Sequence, residues 1–312
     1  MPQRFLPHLE KILVPLGKDG SYEALLNFVV CMLKGLPEGM VKEVYLLHVV
    51  SSDALKKASR RDLRLESLVK DSKLLKELYQ EYLKKEAEPF LAEASEKLKK
   101  ELPNLPVEEV VLSGDPPAEI ARFAYEKACG VEIIARRARS HISEIVLGSC
   151  TQALIHRPGE HSTYVVGRLF AKSGHCGPSR ILVCLDGSSH AWKALEEAAG
   201  VALLCQAKEI VLFHVVDFLP MLEKGTPKES DAILVAAEKF LREAGIQSTI
   251  TKKLALGSPA EEIIEEAESG QYDLVFLGRR GAGYIKELLM GSVFERVLHR
   301  LTSPTLVVVN RS

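Results

Sequence analysis

The chain lacks what a membrane-spanning or exported protein would show. No apolar run approaches the ~20 residues needed to cross a bilayer, and the opening MPQRFLPHLEK has no apolar signal core, so a cytoplasmic protein with no membrane partner is expected. The six cysteines (Cys31, Cys129, Cys150, Cys176, Cys184 and Cys205) form no C-x-x-C pair and no metal-ligand spacing, which leaves reduced thiols and no metal site. Neither sign of charge dominates: 41 Lys and Arg stand against 42 Asp and Glu, so no basic footprint for nucleic acid results. The common catalytic signatures are missing as well. There is no G-x-x-x-x-G-K-[ST] loop, no G-x-S-x-G elbow and no H-E-x-x-H pair. Length adds a positive bound, since 312 residues suggest about two domains, each able to bury its own core.

What is present is a glycine pattern. Residues 278–292 read GRRGAGYIKELLMGS: Gly278, two residues, Gly281, nine residues, then Gly291-Ser292 at the head of a helical segment. Glycines flanking Arg279-Arg280 let backbone N–H groups approach an anion, and a helix N-terminus adds unpaired N–H groups and the positive end of a dipole. Turn chemistry explains the pieces one at a time, because Ser292 with Glu295 fits an S-x-x-E capping box and Gly278 ends an apolar strand.

The order of segments favours the cradle. ILVCLDGS (181–188), EIVLFHVV (209–216), STITKKLALG (248–257) and YDLVFLG (272–278) are apolar runs separated by helical periodicity, the pattern of a parallel sheet covered on both faces. Ligands of such sheets bind beyond the carboxyl ends of the strands, where Asp186, Val215 and Gly278 all fall.

On these residues the segment 180–310 resembles a universal stress protein domain of the ATP-binding type. The resemblance implies that Gly278, Gly281, Gly291 and Ser292 hold the phosphates, that Asp186 approaches the nucleoside and Val215 meets the adenine, and that Arg280 and Val293 also belong to the ATP site. It implies ATP as the ligand, with Mg²⁺ arriving on the triphosphate. Cys184 stands where that family usually has proline.

The pattern occurs twice. KILVPLGKDGSYEA (11–24) parallels RILVCLDGSSHA (180–191), with two extra residues before the aspartate; KEVYLLHVV (42–50) parallels KEIVLFHVV (208–216); LSGDPPAEIARFA (112–124) parallels LALGSPAEEIIEEA (254–267). The chain therefore resembles a tandem universal stress protein: two Rossmann-like α/β domains, each a five-stranded, mostly parallel sheet with helices on both faces. The expected division is 1–168, a linker at 169–179 rich in Gly, Ser and Pro, and 180–312.

The copies differ at the loop. Against GRRGAGYIKELLMGS the first half reads ARRARSHISEIVLGS, with Ala135 and Ala138 replacing both early glycines while Gly148-Ser149 survives. The first site, built from Asp19, Val49, Arg136, Arg137, Gly148 and Ser149, reads as degenerate. Ser149 with Gln152 fits a capping box without any ligand. In the alternative reading, Arg136, Arg137, Arg139 and His141 form a different kind of anion site. Segment 51–101, with Leu65, Leu68, Leu75, Leu78 and Tyr82 at helical spacing, is either a cover on the first domain or a helix that docks an unidentified protein partner.

Three functional classes remain. The chain is a nucleotide-binding regulatory module, a slow ATPase or autophosphorylating protein, or a structural tandem with no nucleotide. Arg279, Arg280 and Lys286 supply charge for hydrolysis, but no base joins them. Finally, STYVVG (162–167) and PTLVVVN (304–310) would each leave an apolar sheet edge unpaired. Residues 164–166 are therefore expected to run antiparallel to 306–308, giving an intramolecular pseudo-dimer; further homo-oligomers stay open.

Overall fold

The computed structural model describes residues 5–6, 8–18, 22–34, 36–51, 72–136, 148–157, 159–167, 177–217, 230–279 and 291–311. Asp19, Arg137, Ala138, Arg139, His141, Arg280, Gly281, Lys286, Leu65, Leu68 and most of the expected linker lie outside the described residues.

In the first half, β1 (Lys11–Pro15), α1 (Tyr22–Leu33) and β2 (Glu43–Val50) are followed by α2 (Ser72–Tyr82), a π-helical turn (Leu83–Ala87) and α3 (Glu88–Glu101). Then come β3 (Val107–Ser113), α4 (Pro116–Glu126), β4 (Val131–Ala135), α5 (Ser149–His156) and β5 (Ser162–Val166). The second half repeats the order with β6 (Arg180–Cys184), α6 (Ser189–Cys205), β7 (Glu209–Asp217), α7 (Ser230–Glu243) and β8 (Thr249–Gly257). It ends in α8 (Pro259–Ser269), β9 (Leu274–Gly278), α9 (Ser292–Arg300) and β10 (Thr305–Val309).

Within each half all neighbouring strands are parallel, in the orders β3-β2-β1-β4-β5 and β8-β7-β6-β9-β10. The central strands are buried on both faces, which is why they read as unbroken apolar runs. Edge strands β3 and β8 are part exposed. Alternate residues feed two cores: Ile12, Val14, Ile181 and Val183 pack under α1, α3, α6 and α7, while Leu13, Leu182, Val165 and Leu306 pack under α4, α5, α8 and α9. Leu91, Ala94 and Leu98 bury the inner side of α3 in the first of these cores. Of the two readings for 51–101, the segment Glu88–Glu101 therefore takes the cover.

The halves join edge to edge. β10 and β5 pair antiparallel, with Leu306 opposite Val165, Val307 opposite Tyr164 and Val308 opposite Thr163, so the described strands make one ten-stranded sheet. The expected pseudo-dimer pairing is thus present. The pairing leaves no free edge at the junction, and a buried charge node fastens it. Glu197 of α6, fully buried, accepts from Ser162 Oγ (2.5 Å), Tyr164 Oη (2.7 Å) and Arg311 Nη2 (2.9 Å), with His8 Nε2 at 3.4 Å. Burial alone would raise its pKa, but His8, Arg311 and Ser162 outweigh it and hold the carboxyl at about 2.

Candidate functional site

In each half the chain leaves its first strand toward one sheet edge and returns after the third strand on the other side of the first. The strand order therefore reverses between β1 and β4, and between β6 and β9. Ligands of such sheets bind outside the carboxyl ends of the strands at that point. In the second half Asp186 follows β6, Val215 lies in the last turns of β7, Gly278 ends β9 and Gly291 caps α9. The Asp186 carboxylate accepts from the N–H of Ser188 (2.9 Å), and Ser188 Oγ in turn accepts from the N–H of Ala191 (3.2 Å) as the cap of α6. His214, just before Val215, donates from Nδ1 to the Leu185 carbonyl at 2.6 Å and ties the end of β7 to the segment carrying Asp186.

Gly278 owes its identity to packing. A Cβ there would stand 2.7 Å from the backbone carbon of His190 and 2.8 Å from the nitrogen of Ala191, so only glycine lets the start of α6 close on the end of β9. The close approach seen at Gly278 is thus to the backbone of α6.

The capping-box expectation is corrected. Gly291, not Ser292, is the N-cap of α9, and Gly148, not Ser149, that of α5; neither helix has a side-chain cap bond. Glu295 N–H donates to Gly291 O (3.1 Å) and Gln152 N–H to Gly148 O (3.1 Å), so the first three N–H groups of each helix have no intrahelical acceptor. Ser292 and Ser149 are exposed first-turn residues with hydroxyls released from capping. Val293 and Val215 pack half-buried on the core under α9, so Val293 would serve a ligand through its N–H rather than its side chain.

The first half has the same frame with different fittings. A cavity of about 500 Å³ opens at the carboxyl ends of β1, β2 and β4, and Val49, Gly148 and Ser149 line it. Arg136 does not turn to it: its Nη1 donates to the Leu298 carbonyl of α9 at 3.1 Å, across the junction. Its repeat counterpart Arg279 is likewise engaged, with the guanidinium buried and Nη1 on Asn310 Oδ1 at 2.5 Å, while Asn310 Nδ2 reaches Gly159 O at 2.9 Å. Arg136, expected at the first site, and Arg279, expected to supply charge for hydrolysis, both reach across the joint between the halves or onto residues that do. Sequence reasoning also missed Lys18, His48 and Tyr82 as cavity residues. The lengthened β1–α1 loop was a signal for the first, and the repeated histidine of LLHVV and LFHVV for the second.

His48 Nδ1 donates to Leu16 O (2.8 Å), as His214 does to Leu185. Burial, with Lys18 nearby, pushes the imidazole below its ordinary range, so it is neutral at pH 7 and Nε2 carries a lone pair. Among the described residues no group of three or more His, Cys, Asp or Glu is placed to hold a metal. Among the described residues no disulfide is formed, and burial pushes the thiol of Cys129 up to about 12 and that of Cys184 higher still.

The universal stress protein family model matches this chain twice, over residues 8–158 and 178–309. The chain belongs to the universal stress protein family. Among curated universal stress proteins, YxiE of Bacillus subtilis is 30% identical over 148 residues, covering 42% of this chain and 98% of its own length. A solved universal stress protein from Archaeoglobus fulgidus covers 97% of this chain and 99% of its own, at 20% identity and a TM-score of 0.68, so the two-half architecture recurs there. A universal stress protein solved in complex with cAMP covers 44% of the chain at 25% identity, with a TM-score of 0.36. Among the described residues no helix is long and apolar enough to cross a membrane.

Proposed function

We propose that the protein is a regulatory module of the stress response that holds ATP in its second half and presents the bound state to a protein partner. One observation carries the reading. At the reversal between β6 and β9, Asp186, Val215 and Gly278 stand at or just past the carboxyl ends of their strands, and α9 has a Ser292 hydroxyl and first N–H groups that are not consumed by capping. A helix start with open N–H groups favours phosphate, and Gly278, Gly281 and Gly291 stand at the spacing of a phosphate loop. Asp186 would take the ribose hydroxyls, and Val215 the adenine face. Mg²⁺ would come with the phosphates. The second reading, slow hydrolysis or autophosphorylation, would use Ser292 as the acceptor nearest the terminal phosphates.

Calorimetry should give one ATP per chain. Asp186→Ala should weaken ATP and adenosine alike, whereas Ser292→Ala should weaken ATP about tenfold and adenosine little, the loss of one hydrogen bond to a charged group being worth ~1.5–3 kcal/mol. Two equivalent sites, or equal losses in the serine variant, would count against this arrangement. Conversion of bound ATP to ADP over hours would favour the second reading, and no binding at millimolar ATP would leave a purely structural tandem.

A further inference from the structure

The two ends of α9 have different duties. Its start, Gly291-Ser292, is the end read above as meeting phosphate. At its other end, a helix that continued past Arg300 would give Leu298 O the N–H of residue 302. Thr302 N–H donates instead to Glu268 Oε1 (2.6 Å), as does Ser303 N–H (3.1 Å), so Leu298 O belongs to the carbonyls that a helix end leaves without a donor from its own turn. Arg136 of the first half takes that place, its Nη1 donating to Leu298 O at 3.1 Å.

The first half does not receive the same service in return. In α5, the repeat counterpart of α9, Leu154 O is met by His161 Nε2 (3.1 Å) and the Arg157 N–H (3.2 Å), both from its own half. Arg279, the counterpart of Arg136, lies on Asn310 Oδ1 instead. The helix at the crevice with the intact glycine pattern is thus the one whose far end is held from across the joint.

We propose that Arg136 is a positioning residue for the nucleotide site of the opposite half, an inference that rests on ATP occupying that half. Phe294, Val297 and Leu298 press α9 onto the sheet, but apolar contact is non-directional and leaves sliding and turning about the helix axis weakly fixed. A directional bond at one end removes that freedom, and the nine residues of α9 span only ~13 Å, so a shift at Leu298 reaches Ser292. Charge acts in the same sense. A guanidinium at the negative end of the helix dipole and a phosphate at its positive end stabilise the same helix. Arg136 directly follows Ala135 of β4, which lines the first-half cavity, so the first half acts on ATP affinity in the second.

Calorimetry of ATP and of adenosine on the full chain tests this. Arg136→Met, which keeps a long side chain and loses the guanidinium, should weaken ATP about three- to tenfold and leave adenosine unchanged, because adenosine carries no phosphate for α9 to meet. Arg136→Lys, which keeps the cation, should fall between Arg136→Met and the wild-type chain. In the wild-type chain, the NMR resonance of the Arg136 side chain should shift on adding ATP and stay in place with adenosine, since coupling between two sites is reciprocal. That measurement stands even if Arg136→Met fails to fold. Unchanged ATP affinity in Arg136→Met, equal losses for ATP and adenosine, or an arginine resonance unmoved by ATP would each overturn this proposal while leaving the ATP reading intact. A wild-type chain that binds no ATP would overturn both.

Discussion

The two halves share strand order, histidine tether and helix start, but they close their crevices differently. In the second half Gly278 lets α6 press directly on the end of β9, and the acidic residue after the first strand, Asp186, stands at the mouth. In the first half Ala135 takes the glycine's place, Gly17 and Lys18 precede the aspartate, and the continuous helical run from Ser72 to Glu101 reaches over the opening through Lys18 and Glu86. The first mouth gains a Lys18–Glu86 ion pair (2.9 Å) from two segments longer than their second-half counterparts. Two crevices from one repeat can thus diverge at the mouth without a change of fold.

The largest test of the comparison is at the joint, where the halves are least alike. Counting six residues on from the matched Ala24 and Ala191, Glu197 corresponds to Val30, so the carboxylate that fastens the joint comes from one half alone. Glu197→Ala leaves Arg311, Tyr164 and Ser162 facing an empty buried site and should cost about 3–5 kcal/mol in urea unfolding. The same group sets a pH dependence. Its pKa of about 2 in the folded chain lies below the ~4.3 of a free glutamate, so its stabilisation is complete above about pH 5 and declines as the pH falls toward 2. Unfolding curves of Glu197→Gln should lack that component; an unchanged acid limb would refute the assignment.

Next in size is Gly278→Ala. Its Cβ would press on the α6 backbone, and overpacking of this kind costs about 1–3 kcal/mol, so the melting temperature should fall and ATP affinity with it. The mirror substitution, Ala135→Gly, is the mildest. It should cost about 0.5–1 kcal/mol through backbone freedom and confer no tight ATP binding on the first half. A gain of a second ATP site from this one change would mean that the halves differ far less than their crevices suggest.

Most of the fold was legible because it rests on local patterns. Unbroken apolar strands announced a parallel sheet, the repeat announced two copies, and the terminal strands announced their pairing through the need to cover an edge. What escaped rests on contacts between distant positions. Nothing near Arg136 hints that its guanidinium is 3.1 Å from Leu298 O, 162 positions away, and nothing near Glu197 hints at Ser162 or Arg311. The serines of the two glycine-serine pairs were misplaced by one position. A glycine can end the non-helical backbone as well as a serine can, and the capping-box pattern does not say which of two adjacent residues takes that role. The approach of the α6 backbone to Gly278 was not legible, since a residue lacking a side chain does not reveal in sequence what comes close to it.

The antiparallel pairing of β5 with β10 has a consequence in mass action. Two separate copies joined along such an edge would come apart on dilution, because their association depends on how much protein is present. Here the partner strand is tethered at a fixed effective concentration, so the joint is as complete in a scarce protein as in an abundant one. A cell could hold this chain at trace levels between stresses and still have every molecule fully assembled.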